Sequence, residues 1–540
     1  MGQKVSGMRG IALLIAASVA VPILVILASF ANPEPKIWRH IVDTLLAELA
    51  WNTLTLCIGV MAGTFVIGVG AAWLVAMYDF PGRRMFTWAL MLPLAIPTYV
   101  LAFVFIGIFD FSGPVQALLR TICSTPLGWF PEIRSTGGVV LVMTLALYPY
   151  VYLLTRSAFT TQGKRVMEVC QILGCNRSEA FFRAALPMAR PWIAGGMMLV
   201  LMETLADFGA VSVFNYNTFT TAIYKAWFGF FSISAAAQLS SVLLVAVFLA
   251  VWIEQRFRSK MRFGQVGRIS EEASRIRLAG FSKWAAFASL AFIVFIAFLL
   301  PGAPLIYWAV ASAALELNTA YQGLIARSIF LSLSAAAVIT ALGLILAYIQ
   351  RHTGDLPTTW AIRVSTLGYA LPGTVLAVGV AVMIGLVDRG LMRTGEDLLG
   401  LKIGTLFQGS VLTVIVAYAA RFLTIGFNGI GSAMNRIPKS LDEASQLLGV
   451  VGWRLIGKVH IPILKNGIFT AAILVFVDVM KEMPITLMTR PFGWDTLAVK
   501  IFELTSEGEW QRAALPSLAL VVSGFIPLLL LHSRSEKAAL

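Results

Sequence analysis

The sequence predicts an all-α membrane protein whose twelve transmembrane helices form two parallel six-helix repeats. Composition is the first reason: 58% of the 540 residues are hydrophobic, 13% are charged, and the mean hydropathy is +0.83. Soluble domains carry about 25% charged residues. The second reason is a set of twelve apolar stretches. The third is a polar motif that occurs once in each half of the chain.

Each apolar stretch is long enough to cross a hydrocarbon core of about 30 Å. The stretches lie at about 11–30, 52–77, 86–109, 138–158, 191–214, 232–253, 284–308, 327–350, 364–387, 405–428, 466–488 and 513–532. Their spacing predicts a first half at 1–254, a cytoplasmic linker at 255–283 and a second half at 284–540. We expect the first stretch, which follows Lys4 and Arg9, to be a retained helix and not a cleaved signal.

The net charge of +14 is explained by topology. With both termini in the cytoplasm, 26 of the 41 Lys and Arg residues lie on the cytoplasmic side and 11 on the opposite side. This is the positive-inside bias of membrane proteins. No stripe of basic and aromatic residues indicates a nucleic-acid surface. The charge therefore predicts orientation in a bilayer, with no nucleic acid as partner.

The polar motif recurs at a fixed offset of 275 residues. Its members are Glu168, Gln171, Gly174 and Pro187 in a loop at 160–190, and Glu443, Gln446, Gly449 and Pro462 in a loop at 430–465. Each loop lies between the fourth and fifth apolar stretches of its half. Because each half has an even number of helices, both copies enter the membrane in the same direction, related by an axis along the membrane normal.

The motif predicts two short helices in each loop. In the second copy, Ser440 and Glu443 form a capping-box pattern that opens the first helix, and Gly449 ends it in the left-handed conformation. Pro462 is expected to stop the second helix. The first copy offers the corresponding residues Gly174, Asn176 or Ser178, and Pro187.

Prolines fall inside two predicted spans. Pro93 and Pro97 lie in the third span, and Pro372 lies in the ninth, 275 positions after Pro97. Proline lacks the N–H group and its ring clashes with the preceding turn, so we expect kinks within these helices.

Two acidic pairs lie in register in the fifth and eleventh spans. Glu203 and Asp207 are four positions apart, and their counterparts at the fixed offset are Asp478 and Glu482, with Lys481 beside them. An ionised side chain at the bilayer centre costs at least about 2.5 kcal/mol. The acids should therefore point into the bundle.

Two interpretations of these acids remain open from the sequence. One is a polar constriction on a substrate path, whose oxygen ligands would suit a hard cation. The other, which does not exclude the first, is an ion-paired lock between helices that uses Lys481 and Arg421. The metal-binding residues, if any, are not identified by the sequence.

The repeated loops resemble the EAA loop of ABC importer permeases: a Glu is followed six residues later by Gly, and then by an apolar residue and Pro. The resemblance implies a type I importer permease fold, in which each loop docks on a separate ATPase subunit. Two copies look like two ordinary six-helix permeases fused in one chain. The alanines that follow Glu in the family are replaced at Val169, Cys170 and Ser445, so the two docking surfaces should differ.

Further segments resemble ferric-iron importer permeases. They are residues 203–209, 219–224 and 235–239 in the first half and 481–484, 490–491 and 496–498 in the second. The resemblance implies ferric iron as substrate, a periplasmic binding protein, two ATPase subunits and a bacterial inner membrane. Related fused permeases carry thiamine, phosphonates or polyamines, so these stay alternatives. The tyrosines that would suit Fe(III) are Tyr148, Tyr150, Tyr152 and Tyr418.

The chain is not expected to be an enzyme or to bind a cofactor. Gly452, Gly457 and Lys458 have the spacing of a P-loop, but Val459 stands where a Ser or Thr must bind magnesium. ATP and Mg are therefore expected to be used by the partner ATPase.

A secondary transporter of the major facilitator type is the competing class. It commonly carries a Gly-x-x-x-Asp-x-x-Gly-Arg-Arg loop between its second and third helices. Here Asp79, Gly82, Arg83 and Arg84 occupy that place, but Val75 replaces the leading Gly. That family also leaves the repeated Glu-to-Gly motif unexplained.

Overall fold

The computed structural model describes residues 2–31, 35–123, 130–163, 179–259, 275–400 and 404–539, with Cys170, Ile172, Gly174 and Asn176 as isolated positions. Within this part of the chain, eleven helical segments are long and apolar enough to cross a membrane. The predicted twelfth stretch lies in the last helix, Trp510–Ala539. The fold is the all-α arrangement that the sequence predicts.

The first half contains eleven α-helices and one short strand among its described residues. They are α1 (Gly2–Ala28), α2 (Pro35–His40), α3 (Leu46–Met77), β1 (Tyr78–Asp79), α4 (Arg83–Ala89), α5 (Thr98–Phe109), α6 (Pro114–Cys123), α7 (Thr136–Ala158), α8 (Leu186–Ala206), α9 (Gly209–Val213), α10 (Phe219–Tyr224) and α11 (Ile233–Ser259).

The described part of the second half begins with a strand and continues with twelve helices. They are β2 (Ile276–Arg277), α12 (Phe281–Val294), α13 (Leu300–Glu316), α14 (Thr319–His352), α15 (Leu356–Ser365), α16 (Gly373–Leu399), α17 (Val411–Met434), α18 (Lys439–Leu447), α19 (Trp453–Leu455), α20 (Ile461–Lys481), α21 (Pro484–Thr489), α22 (Leu497–Ser506) and α23 (Trp510–Ala539).

The third and ninth spans are broken, so the expectation of kinked continuous helices there is wrong. α4 ends at Ala89, and α5 begins only after Pro97, with a 3₁₀ turn at Leu92–Ala95 between them. The same break separates α15 from α16, which begins after Pro372. The residue before each proline, at 96 and 371, is extended, because the proline ring disfavours the helical region for its predecessor.

The fifth and eleventh spans are also broken, although the sequence predicts continuous helices at 191–214 and 466–488. α8 ends at Ala206 and α9 begins at Gly209. α20 ends at Lys481 and α21 begins at Pro484. Two of the four acidic residues thus lie in the breaks and not within a helix.

The first span of each half contacts the opposite half. α1 lies along α15 and α16, whereas α13 packs mainly against α23 of its own half and also contacts α5 of the first half. Two glycines allow the close approach: a Cβ at Gly379 in α16 would come within 2.8 Å of the Pro22 carbonyl, and a Cβ at Gly107 in α5 would come within 2.7 Å of the Trp308 ring. The halves defined by the sequence are therefore interlocked in space.

One end of the bundle, called the loop face below, carries β1, β2, the turn after α14, and α18. β1 and β2 pair in parallel, with Tyr78 opposite Ile276 and Asp79 opposite Arg277. The start of α1 reaches the same face, where Arg9 Nη2 lies 2.9 Å from Asp355 Oδ2.

Candidate functional site: a central cavity and two loops

A polar cavity of about 200 Å³ lies between the two halves, at the four helix breaks. All five predicted pathway residues line it: Glu203, Asp207, Asp478, Lys481 and Glu482. The breaks explain this convergence, because each one ends a helix at the cavity wall and turns the flanking side chains toward it. The acids therefore face the interior of the bundle, as expected from their cost in lipid.

Two of the four carboxylates cap short helices. Asp207 Oδ1 accepts a hydrogen bond from the Ala210 N–H at 2.8 Å, at the start of α9. Its repeat counterpart Glu482 accepts from the Ile485 N–H at 3.2 Å, at the start of α21. Each side chain thus satisfies a backbone donor that the helix break leaves without a partner.

The two capping carboxylates are held by different donors. Thr98 Oγ1 donates to Asp207 Oδ2 at 2.5 Å. Position 98 corresponds to Gly373 in the second half, where a Cβ would collide with Arg421 Nη1 and Glu482 Oε1. The space left by this glycine admits the Arg421 guanidinium, which lies 3.2 Å from Glu482. The first half uses a hydroxyl where the second half uses an ion pair.

The other two carboxylates, Glu203 and Asp478, are repeat counterparts that face the cavity. Glu203 Oε1 accepts a hydrogen bond from the Tyr369 hydroxyl of the opposite half at 3.4 Å. Among the described residues, no protein group lies within hydrogen-bonding distance of the Asp478 carboxylate. Glu482 thus belongs to an ion pair, whereas Glu203 and Asp478 have no ion-pair partner among the described residues. A role for these two acids in the substrate path stays a prediction.

Lys481 joins the two halves. Its Nζ donates to the Leu94 carbonyl of the first half at 3.0 Å, and its own carbonyl accepts from the Tyr99 hydroxyl at 3.4 Å. The cavity wall thus carries two cationic side chains, Lys481 and Arg421, and four carboxylates. The formal charge of the lining is negative.

The tyrosines predicted to suit a metal are mostly elsewhere. Tyr150 lines the cavity, but Tyr148 is fully buried, Tyr152 donates to the Thr87 carbonyl, and Tyr418 is hydrogen-bonded to Thr486. Among the described residues, no group of three His, Cys, Asp or Glu side chains is arranged to hold a metal ion.

The sequence analysis missed three cavity residues, Thr98, Tyr99 and Tyr369. All three flank the proline breaks at Pro97 and Pro372. The signal was present, because these prolines stand at the same position of the two repeats. If these prolines are taken to interrupt their helices, the residues beside them are expected at the centre of the bundle.

The second polar loop forms one short helix, α18, whose outer face is exposed. Glu443 and Gln446 lie on it, and Leu447 and Leu448 are 90% and 82% exposed. Gly449 adopts φ +77°, and the Val450 N–H closes the helix on the Ser445 carbonyl at 2.9 Å, as the sequence predicts.

The predicted capping box at Ser440 is wrong. α18 begins at Lys439 and its N-cap is Pro438, two residues before the predicted cap, and Pro438 makes no side-chain capping bond. The fixed φ of Pro438 sets the entry of the chain, so no hydroxyl cap is needed.

The first loop is described only in part. Glu168 and Gln171 lie outside the described residues. Gly174 adopts φ +77°, as Gly449 does. Asn176 caps the next turn: its side chain accepts from the Glu179 N–H at 2.8 Å, and Glu179 accepts from the Asn176 N–H at 3.1 Å. Ile172, the counterpart of Leu447, is 85% exposed.

Pro187 and Pro462 do not stop a helix, contrary to expectation. A π-helical turn precedes each of them, at Ala180–Ala185 and at Ile456–His460, and the chain then continues into α8 or α20. The residue before each proline donates to the carbonyl five positions back. The wider π turn accommodates the proline ring, which would clash with an α-helical carbonyl.

The sequence matches the model of the "binding-protein-dependent transport system inner membrane component" family twice, over residues 64–263 and 339–533. These matches cover most of both halves. The chain belongs to this family. It is a multi-pass inner-membrane permease of an ABC importer, which works with a substrate-binding protein and with ATPase subunits.

The permease is similar to three curated relatives. It is 27% identical to an Fe(3+)-transport system permease FbpB 2 of Haemophilus influenzae, over 91% of each chain. It is 24% identical to a ferric transport system permease FbpB of Actinobacillus pleuropneumoniae, over 80% of this chain and 63% of that one. A sulfate transport system permease CysW of Escherichia coli is 26% identical over 38% of this chain and 69% of its own length.

The permease anchors α18 to the membrane helix α14 by a buried polar cluster. Arg351 Nε lies 2.6 Å from Asp442 Oδ2, and the same guanidinium donates to the carbonyls of Met434, Ile437 and Pro438. His460 Nε2 lies 2.9 Å from Asp442 Oδ1. Burial alone would raise the pKa of Asp442, but the hydrogen bonds from Arg351 and His460 outweigh it and lower that pKa.

The first half of the permease has an aromatic cluster at the corresponding place. Trp73 of α3 is the counterpart of Tyr348 in α14, and its ring centroid lies 5.1 Å from that of Phe159 and 4.7 Å from that of Phe181. The positions that correspond to Arg351 and His460 are Ala76 and Ala185. The loops of the two halves are thus attached by different chemistry.

Proposed function

We propose that this permease moves ferric iron from a periplasmic binding protein to the cytoplasm by alternating access, driven by two bound ATPase subunits. The chain itself binds no cofactor, and the ATPase subunits use ATP and Mg. The observation that carries this proposal is the pair of carboxylates without an ion-pair partner among the described residues, Glu203 and Asp478, presented by equivalent positions of the two halves to one central cavity.

The chemistry of the cavity favours a hard cation. Carboxylate and phenolic oxygens are ligands for hard metal ions, and the cavity offers Glu203, Asp478 and the hydroxyls of Tyr150 and Tyr369. Arg421 is engaged with Glu482, so the more accessible charges are negative. The relative that is similar over 91% of both chains is named as an Fe(3+) permease, which supports the same assignment.

The loop face would lie in the cytoplasm together with both termini. α18 exposes two leucines there beside Glu443 and Gln446, and the first loop exposes Ile172 at the position equivalent to Leu447. An exposed apolar patch rimmed by polar residues is typical of a protein interface. One loop in each half gives two docking sites, and hence two ATPase subunits.

Continuous helices would connect these sites to the cavity. α20 runs from the π turn after α18 to Asp478, and α8 runs in the same way to Glu203. Seventeen residues separate Ile461 from Asp478, which is about 26 Å of helix. Closure of the ATPase subunits would therefore displace the two carboxylates directly, through rigid helices.

The test uses the permease reconstituted with its ATPase in proteoliposomes. We expect ATP hydrolysis and radioactive iron uptake to be stimulated by the Fe(III)-loaded binding protein, and not by the empty one. Binding proteins loaded with sulfate, thiamine, a phosphonate or a polyamine are the controls. Stimulation by one of these, with none by the ferric form, would contradict iron. Uptake without ATPase would instead favour an ion-coupled secondary transporter.

A further inference from the structure

A second polar cavity, of about 480 Å³, lies on the loop face, and its lining contains no residue of either polar loop. We call it the arginine pocket. Its lining residues are Asp79, Phe80, Gly82, Arg83, Arg84, Arg275 and Arg277. Four guanidinium groups thus surround one carboxylate among the described residues, and neither the central cavity nor the loops explain them.

The arginines are crowded, with little internal compensation. The carboxylate of Asp79 lies 3.4 Å from Arg83 Nε, and Arg84, Arg275 and Arg277 are exposed. Burial and the charge of Arg275 lower the pKa of the Arg83 guanidinium. Like charges at this spacing repel one another, so a bound anion would stabilise the arrangement.

The backbone holds the pocket in place. The pairing of β1 with β2 fixes Arg277 beside Asp79, and the Leu278 N–H donates to the Asp79 carbonyl at 3.1 Å. Gly82 adopts φ +75°, and a Cβ there would lie 3.2 Å from the Phe287 ring of α12. The charges from the linker and from the first half are therefore brought together by a defined structure.

The pocket is flanked by aromatic residues that are typical of the membrane interface. Trp88 of α4 is 48% exposed and Trp284 of α12 is 55% exposed. Between them, Phe86 packs edge-on against Phe287, with ring centroids 5.4 Å apart. Tryptophans are enriched at the depth of lipid headgroups, so we expect the arginines to lie near the phosphate groups of the bilayer.

We propose that the arginine pocket binds the phosphate of an anionic phospholipid headgroup. Guanidinium groups bind phosphate oxygens in pairs, and basic pockets beside transmembrane helices bind such headgroups. The second half provides an internal comparison. The positions corresponding to Asp79, Arg83 and Arg84 are Gly354, Thr358 and Thr359, so this basic cluster has no equivalent there.

The experiment reconstitutes the complex in vesicles that contain phosphatidylcholine and phosphatidylglycerol, and then extracts and purifies it. Native mass spectrometry measures how much phosphatidylglycerol the purified complex retains. The variant R84Q/R275Q/R277Q should retain this lipid about a hundredfold less strongly, because each basic residue near a membrane surface contributes about fivefold. The matched control R363Q/R389Q/R393Q removes the same charge from exposed positions outside the pocket and both polar loops and should retain the lipid as wild type does.

Four outcomes would overturn the proposal. The first two are unchanged lipid retention in the pocket variant and an equal loss of lipid in the matched control. The third is displacement of the lipid by inorganic phosphate, which would indicate a site for soluble phosphate. The fourth is loss of the ATPase subunits from the pocket variant, which would indicate a protein interface. The variant E271Q/E272Q removes the two carboxylates that shortly precede Arg275. Binding that appears only in this variant would show that the chain's own acids fill the pocket. Iron transport is measured separately, so its failure leaves this test intact.

Discussion

The two halves of the permease repeat one backbone plan at a 275-residue offset, but they hold it together with different interactions. In the first half, an aromatic cluster around Trp73 stands where the second half has Arg351, Asp442 and His460. In the cavity, a hydroxyl holds Asp207 and a guanidinium holds Glu482. Equivalent places in the two halves therefore make stabilising contacts, but the chemistry of those contacts differs from one half to the other.

Glu203 and Asp478 are equivalent acids that have no ion-pair partner among the described residues in either half, and their removal should have the largest effect. We expect E203Q/D478N to reduce iron uptake in proteoliposomes to background, because no other described carboxylates are available to the substrate. The complex should still assemble, as judged by gel filtration with the ATPase.

The capping variants D207N and E482Q are the matched controls for that prediction. They should lower thermal stability more than the double variant does, because each weakens a helix start. Normal iron uptake by E203Q/D478N would contradict a path for the cation along these acids. Failure of this variant to assemble with the ATPase would assign the two acids a structural role instead.

The second prediction compares the two partners of the capping acids. R421M leaves Glu482 buried without its ion-pair partner, which should cost about 3–5 kcal/mol. T98V removes one hydrogen bond to a charged acceptor, which should cost about 1.5–3 kcal/mol. Thermal unfolding of the two variants in detergent measures the difference.

The double variant R421M/E482Q should recover part of that loss, because it removes the uncompensated charge. If T98V and R421M unfold at the same temperature, the hydroxyl of the first half and the guanidinium of the second half contribute equally to stability, which would contradict the prediction.

The third prediction concerns the attachment of the loops. D442N weakens the link from α18 to Arg351, so stimulation of ATP hydrolysis by loaded binding protein should fall several-fold, while ATPase binding persists. W73F keeps an aromatic ring in the first-half cluster and should change the stimulation less than twofold. Equal effects of the two variants would show that both loops depend on shape alone.

The fourth and smallest effect is a response to acid. The lowered pKa of Asp442 means that its ion pair contributes stability above the pKa of an unfolded aspartate, about 3.9, and loses it as pH falls through the folded value. Hydrogen exchange of α18 in detergent should therefore rise below about pH 4. D442N should show a flatter profile, and an identical profile in both would refute the linkage.

Much of this arrangement is predictable from the sequence. The fixed offset identified the residues that meet in the cavity, because equivalent positions of parallel repeats converge on their common axis. Gly174 and Gly449 both take the left-handed conformation that their place after a short helix requires. Asn176 caps its turn, since its spacing to Glu179 allows reciprocal bonds.

The remainder depends on packing between segments that are distant in sequence. Whether Pro97 kinks a helix or ends it is decided by the neighbouring helices that satisfy the freed backbone groups. The π turn before Pro462 could not be inferred for a similar reason, because proline alone suggested a stop. Tyr369 meets Glu203 only through the contact between halves, which no local pattern records.

The packing of α1 against helices of the second half has a consequence for how the protein is made. α1 is synthesised before the second half, yet Ala12, Ile15 and Ala16 belong to a buried cluster whose other members all lie in the second half, from Leu331 onward. At synthesis rates of about 5–20 residues per second, α1 stays in the lipid for roughly 20 to 60 seconds before that surface exists. Its small and β-branched residues must meanwhile be shielded by lipid or by an insertase. α1 can take its final place in the bundle only after its partners in the second half have been inserted.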